Sequence, residues 1–226
     1  MARIVVTGAN RGIGLEFTRQ LLARGDDVVA VCRTSSRELD ALARSGAGSL
    51  QVVTDIDVTQ DAGLSALVDR VGDSAIDVLI NNAGLLEVDS LDQIDAASVR
   101  RQFEVNSLAP LRVTATLRDR LQRGSKVAIV SSRMGSIADN TSGRMYGYRM
   151  SKAAANAAGM SLAQELRPEG VAVVTLHPGY VRTGMTGGNG DVNADQAAAG
   201  LIARIDELSL ELSGRFIHAN GEELPW

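Results

Sequence analysis

Residues 142–152, SGRMYGYRMSK, hold two of the chain's three tyrosines, at 146 and 148, with a lysine at 152. On a helix, residues four apart share a face. Lys152 therefore lies with Tyr148, whereas four after Tyr146 comes Met150. A free phenol has a pKa of about 10, so near neutral pH only about one in a thousand is ionised. A neighbouring ammonium favours the phenolate. The spacing thus predicts that Tyr148 exchanges a proton with a substrate oxygen and that Lys152 lowers its pKa toward the useful range. Tyr146 is expected to be a packing residue or a pocket wall.

A second cluster lies near the start, in TGANRGIG at 7–14. Gly8, Gly12 and Gly14 allow a sharp turn and close approach to a diphosphate, with Asn10, Arg11 and Ile13 between them. A helix opening there would point free N–H groups at the negative charge. The turn follows a strand-like run and opens a helical one, the context of a dinucleotide site. About 20 residues further on, where a carboxylate would hold a ribose 2′-hydroxyl, the chain has Arg33, followed by Thr34 and Ser35. Arg33 and Arg11 would attract a 2′-phosphate, so NADP(H) is the expected cofactor. Asp57, with Val58 beside it, is placed to accept from an adenine amine, although an acidic residue there can equally cap a helix. NNAG at 81–84 offers Asn82, Ala83 and Gly84 for close approach to a ribose, while Asn81 can tie neighbouring strands together.

The elements that must position these groups alternate along the chain. RIVVT (3–7), DVVAVC (27–32), LQVVT (50–54), IDVLI (76–80), KVAIVS (126–131) and VAVVTL (171–176) read as strands, and GRFIHAN (214–220) as a possible seventh. Their nearly continuous apolar character suits strands covered on both faces. Helical spacing occupies 12–24, 60–71, about 96–122 and about 147–166. This rhythm predicts an α/β Rossmann fold, one domain over 1–226, with a doubly wound parallel sheet of about seven strands. Ligands then sit at the carboxyl ends of the strands. The Gly- and Asn-rich stretch at 184–193 is expected to be a mobile loop over the substrate.

Composition narrows the classes. Hydrophobic residues make up 45%, charged residues 22% and aromatics 3%, an ordinary globular balance. The net charge of −4 gives no reason to expect nucleic acid or an anionic membrane as partner. No apolar run approaches the roughly 18 residues of a membrane span. The lone Cys32 excludes an internal disulfide, and with two histidines a structural zinc site is not expected. The strand-like run near residue 1 leaves no room for a signal peptide, and a cytoplasmic protein without a metal is the expectation.

Taken together, TGANRGIG, NNAG, Asn106 in FEVNSLAP, the serine pair closing the fifth strand, Tyr148-x-x-x-Lys152 and HPGYVRT (177–183) resemble the short-chain dehydrogenase/reductase family, in unbroken order from about 3 to 185. SSRMGSIADNTSG, YGYRMSK and LPW resemble its C-factor-like, sniffer-like carbonyl reductases. The resemblance implies a catalytic Asn106, serine, Tyr148 and Lys152, with Asn106 holding a water chain that feeds protons to Lys152, which also holds the cofactor ribose. In much of the family the serine precedes the tyrosine by 13 residues; here that position is Gly135. Ser131, Ser132 and Ser136 are the candidates, and the strand-end position favours Ser132 as the group that orients the substrate oxygen. By resemblance, Pro178 and Gly179 bend the chain while Val181 and Thr183 approach the nicotinamide carboxamide. His177 is expected to pack. Met134, Tyr146, Tyr180 and Met185 are candidate walls of an apolar substrate pocket. The Ala- and Gly-rich helix at 151–166 suits either a homodimer, as the family suggests, or tight packing within one subunit. The implied activity is NADPH-dependent reduction of a small-molecule carbonyl to an alcohol. A module that binds NADP(H) for signalling is the alternative. A sugar epimerase or dehydratase is not expected, because too little chain follows residue 185 for a substrate domain.

Overall fold

The computed structural model describes residues 1–45 and 48–226. In chain order it runs β1 (Arg3–Thr7), α1 (Gly12–Ala23), β2 (Asp27–Val31), α2 (Arg37–Arg44), β3 (Ser49–Val53), α3 (Asp61–Val71), β4 (Ile76–Asn81), α4 (Ala96–Phe103), α5 (Ala109–Thr116) and β5 (Leu121–Val130). There follow α6 (Tyr146–Leu166), β6 (Ala172–His177), β7 (Val181–Arg182), β8 (Val192–Asn193), α7 (Ala194–Glu207) and β9 (Arg215–His218).

Seven strands form one sheet in the order β3-β2-β1-β4-β5-β6-β9, every neighbouring pair parallel. Side chains of a strand alternate between faces. Val5, Val29, Val127 and Ile129 face α3, α5 and α6 through Leu67, Val113 and Leu162. Ile4, Val6, Val28 and Val174 face α1, α2 and α7 through Phe17, Leu39 and Leu201. Both faces are covered, which is why these strands read as unbroken apolar runs. The strand order reverses between β1 and β4, so the loops after these two strands flank the crevice where such sheets take ligands.

Two sequence expectations need correction. The single helix over 96–122 is instead α4, a π-helical turn at Glu104–Leu108, and α5, which ends at Thr116. Leu117 and Leu121 stand four apart and both are buried, so their spacing mimics a helix. Leu121 already belongs to β5, paired with Ile76, and β5 therefore begins five residues before the expected 126. Helices α2 and α7 were not singled out by periodicity. The 184–193 stretch carries a short 3-10 turn at Gly184–Thr186 and the small strand β8, paired with β7. Within it the Thr186 hydroxyl lies within hydrogen-bonding distance of the carbonyls of Val181, Thr183 and Asn189.

Candidate active site

The crevice has two walls. The first is made of backbone. Gly8 and Gly12 have φ of 66° and 54°, left-handed values that favour glycine. A Cβ on Gly14 would collide with the Gly8 carbonyl oxygen. Helix α1 opens without a side-chain cap and without an acidic residue in its first turn, leaving its amino end available to an anion. Asn82 fastens this turn to the end of β4. Its Nδ2 donates to the carbonyls of Thr7 at 3.0 Å and Gly8 at 3.2 Å, while the backbone N–H groups of Asn82 and Ala83 share the Thr7 hydroxyl. Asn10 Nδ2 donates to the Thr34 carbonyl at 2.8 Å, drawing the segment of Arg11 toward that of Arg33. Both arginines are exposed.

Asp57 Oδ1 accepts from the backbone N–H and hydroxyl of Thr59. Burial pushes its carboxyl up, but the Thr59 hydrogen bonds and the charge of Arg33 outweigh that and leave it below the usual range. It caps a turn ahead of α3, whose own cap position is Gln60. Val58 is buried behind it. Asn81 reaches Thr114 on α5 rather than a neighbouring strand.

The loop after β6 crosses this wall. The Thr183 Cγ2 lies 3.4 Å from where a Gly12 Cβ would be, and the Met185 Cε 3.6 Å from where a Gly84 Cβ would be. Pro178 and Gly179 turn the chain, Gly179 with φ 92°, and Val181 is buried. His177 stacks edge-on to His218 at 4.9 Å. Burial, aided by the charges of His218 and Arg133, pushes it down to about 3, so it stays neutral and offers no acid at neutral pH.

The second wall is made of buried side chains. Tyr148 and Lys152 both lie on the inner face of α6 and are both buried. The Lys152 Nζ donates to the Val130 carbonyl at 2.9 Å and sits 5.8 Å from the centre of the Tyr148 ring. Of the three candidate serines, Ser132 is the one whose side chain acts on the Tyr148 hydroxyl. Ser131 turns away to Asn156 Oδ1 at 2.6 Å, and Ser136 donates to the Trp226 carbonyl at 3.1 Å. The departure at Gly135 has a steric cause. A Cβ there would stand 2.6 Å from the Lys152 carbonyl carbon, so this turn packs on α6 only without a side chain.

The expected depression of the tyrosine's pKa is not what the protein by itself provides. Burial pushes Tyr148 up to about 12, opposed only by the Ser132 hydrogen bond, and pushes Lys152 down to about 8. Withdrawal from water disfavours both charged forms and outweighs the attraction that spacing suggested. Asn106 is buried in the π-helical turn. Its Oδ1 accepts from the Leu85 N–H at 2.8 Å, and its Nδ2 donates to the Leu85 carbonyl at 2.7 Å and to the Ser151 hydroxyl at 3.0 Å.

Of the proposed pocket walls, Met134 and Tyr146 are partly buried beside this wall, whereas Tyr180 and Met185 are exposed. Sequence reasoning missed Asp89, Gln102 and Ser151. Asp89 and Gln102 act across long sequence separations; Ser151, adjacent to the lysine in MSK, was the one legible signal.

Comparison with known proteins bears on this geometry. Residues 2–194 match the short chain dehydrogenase family. The 1-hydroxy-2-glutathionyl-2-methyl-3-butene dehydrogenase of Rhodococcus sp. strain AD45 is 41% identical over the whole of both chains. C-signal of Myxococcus xanthus is 45% identical over 72% of this chain and all of its own. The NADPH-bound carbonyl reductase from chicken fatty liver superposes with a TM-score of 0.90 at 30% identity, covering 100% of this chain and 99% of its own.

Proposed function

Because the chain belongs to the short chain dehydrogenase family, an oxidoreductase family built to use a nicotinamide cofactor, we propose that it reduces a carbonyl to an alcohol with NADPH, Tyr148 giving the proton. The observation that carries this reading is the hydroxyl pair of Ser132 and Tyr148 on a buried floor beside the glycine wall.

The residues present fit a dinucleotide. Gly8, Gly12 and Gly14 leave the room its diphosphate needs at an uncapped helix end, and Arg11 with Arg33 supplies positive charge for a 2′-phosphate. Asn82, Ala83 and Gly84 line the approach to a ribose, with Pro178, Gly179, Val181 and Thr183 opposite. The bound reduced cofactor supplies the hydride, and its oxidised form adds a positive charge that favours the tyrosinate. Ser132 orients the substrate oxygen by hydrogen bonding and stabilises the charge that grows on it. Tyr148 donates its proton to that oxygen. In this reading Lys152, held by Val130, also binds ribose hydroxyls, and its low pKa makes it a ready proton carrier behind Tyr148. Asn106 connects α6 to the segment after β4 and, in this reading, anchors a water chain that feeds protons to Lys152.

The reductive direction rests on the NADPH assignment. The open rim at Met134, Tyr180 and Met185 suits bulky or varied carbonyl compounds, consistent with a relative named for a glutathionyl alcohol. Phe103, Leu111 and Met150 leave apolar side chains exposed on α4, α5 and α6, and we assign that face to a homodimer. Gly159, by contrast, packs α6 on Thr175 and Ile129 within one subunit. Among the described residues no helix is long and apolar enough to cross a membrane. Cys32 is buried as a free thiol, in keeping with a cytoplasmic setting. The similarity to C-signal supports a second reading, a signalling module that binds NADP(H) with incidental turnover.

The test is NADPH consumption over a panel of reactive dicarbonyls, wild type beside Tyr148→Phe. Turnover that the variant loses while still binding NADPH is the expected result. Tight NADPH binding by the wild type with no turnover would move the assignment to the signalling module.

A further inference from the structure

Helix α6 starts in an uncommon way. Arg144 and Met145, which precede it, have φ of 56° and 53°. Neither is glycine, and left-handed backbone costs each about 1–2 kcal/mol. Met145, the cap residue, offers no side-chain hydrogen bond to the first turn. Something outside the helix must hold this entry, and Asp89 does so from the segment after β4. Its carboxylate accepts from the N–H groups of both Tyr146 and Gly147, the latter at 2.8 Å, and its backbone carbonyl accepts from Met145 at 3.1 Å. Asp89 is buried. Gly147 permits the approach: a Cβ there would lie 2.7 Å from Gln102 Nε2 and 3.0 Å from Asp89 Oδ2.

The clamp is itself anchored. Leu85 is held through its N–H and carbonyl by the Asn106 side chain, and Glu87 likewise by Gln102 at 3.1 and 3.2 Å. Residues 85, 87 and 89 alternate along an extended strap, and each fastens to a different polar group. The first two tie the strap to the α4–π-turn helix, and the third ties it to the turn of α6 that carries Tyr148.

We propose that Asp89 is a positioning residue for the proton donor: it fixes the first turn of α6 so that the Tyr148 hydroxyl stays beside Ser132. The proposal rests on the reading of Tyr148 as proton donor. A simple cap would be a residue adjacent to the helix. Here the carboxylate comes from 57 and 58 residues away, is buried and is aimed at two N–H groups immediately before the tyrosine. Asparagine is no full replacement, since it presents one acceptor and would set an N–H₂ donor against the second N–H.

The test uses the full chain with tyrosine labelled at Cζ, the Tyr148 resonance being identified by its loss in Tyr148→Phe. At neutral pH this resonance reports the surroundings of the Tyr148 hydroxyl, Ser132 among them, without any turnover. Asp89→Ala is expected to move it in the same direction as Ser132→Ala, and Asp89→Ala on the Ser132→Ala background is expected to move it no further. Where turnover is found, kcat falls on the order of 100-fold in Asp89→Ala, the scale of a displaced reacting group, while the dissociation constant for NADPH is unchanged. Asp89→Asn, which keeps shape and burial, gives the same effects in smaller size and serves if the alanine variant does not fold. A Tyr148 resonance unmoved in both Asp89 variants overturns the proposal, as does a further shift in the double variant. Absence of carbonyl turnover in the wild type overturns the reductase reading instead, and the resonance still decides the clamp.

Discussion

The two walls of the crevice are built from different materials. The glycine wall is backbone: left-handed glycines and an uncapped helix end within one short stretch of chain, with carbonyls tied by Asn82 from the end of β4. The opposite wall is polar side chains withdrawn from water, in which a tyrosine, a serine and a lysine meet only because β5, α6 and the strap after β4 pack together. A backbone site tolerates change at side chains but none at its glycines. A buried polar site is sensitive to removal of any one partner, because the groups left behind have no water to turn to. Variants of each wall should therefore fail in different observables: binding for the first, chemistry and pH response for the second.

The largest effect should separate them outright. Tyr148→Phe removes the proposed proton donor and is expected to lower kcat by on the order of 10³-fold, within the range of general acid catalysis. NADPH affinity, measured by fluorescence titration, should hold. Tyr146→Phe, which leaves the backbone N–H on Asp89 in place, should cost far less. Equal losses in the two variants would mean that the buried wall does not single out one phenol.

Lys152 sharpens the contrast through pH. Its pKa is pushed down to about 8 by burial, against 10.5 when exposed. Below about pH 8 both folded and unfolded chains carry the proton, and the full cost of burying the ammonium is present. Between about 8 and 10.5 the unfolded chain keeps a proton that the folded one has lost, so stability rises with pH. Relative to Lys152→Met, the wild type should gain on the order of 3 kcal/mol across that window. Tyr148 acts in the opposite sense between about 10 and 12, where the unfolded chain loses its proton first, but it is common to both proteins. Urea unfolding at the two ends of the window measures the difference, and a flat difference would show that Lys152 is not desolvated.

Gly14→Ala tests the other wall. The new methyl runs into the Gly8 carbonyl, and relief requires the turn to open. Overpacking of this kind costs about 1–3 kcal/mol. The expected outcome is a lower melting temperature and weaker NADPH binding, with kcat at saturating NADPH largely retained. Unchanged binding would mean that the turn does not carry the diphosphate.

The same division explains what the sequence made legible. The glycine wall is local: turn, strand and helix start lie within a dozen residues, and their spacing alone points to a diphosphate. Strand identity was equally legible, because burial on both faces forces unbroken apolar runs. The boundary at Thr116 was not, since Leu117 and Leu121 keep helical spacing across a helix end. Tyr148 and Lys152 could be paired from spacing, but their ionisation could not, because it is set by burial that only the packed fold creates. Asp89 gave no signal at all; an aspartate in a loop carries nothing to show that it will cap a helix entered 57 residues later.

In the proposed function, Arg33 gives the backbone wall a side-chain preference, and the expected effect there is the smallest. Its guanidinium is exposed and its charge already acts on Asp57, so water and a carboxylate both share it. A charge-assisted hydrogen bond to a 2′-phosphate is worth about 1.5–3 kcal/mol when sheltered, and solvent and salt reduce it toward the lower end here. Arg33→Ala should therefore weaken NADPH binding about tenfold, equivalent to about 1.4 kcal/mol. NADH carries no phosphate at that position, and its affinity should be unchanged, so the ratio of the two dissociation constants isolates the contact. Raising the salt concentration should shrink the wild type's preference and leave that of Arg33→Ala nearly flat. If instead the variant loses NADH and NADPH alike, Arg33 shapes the adenine side of the wall rather than reading its phosphate.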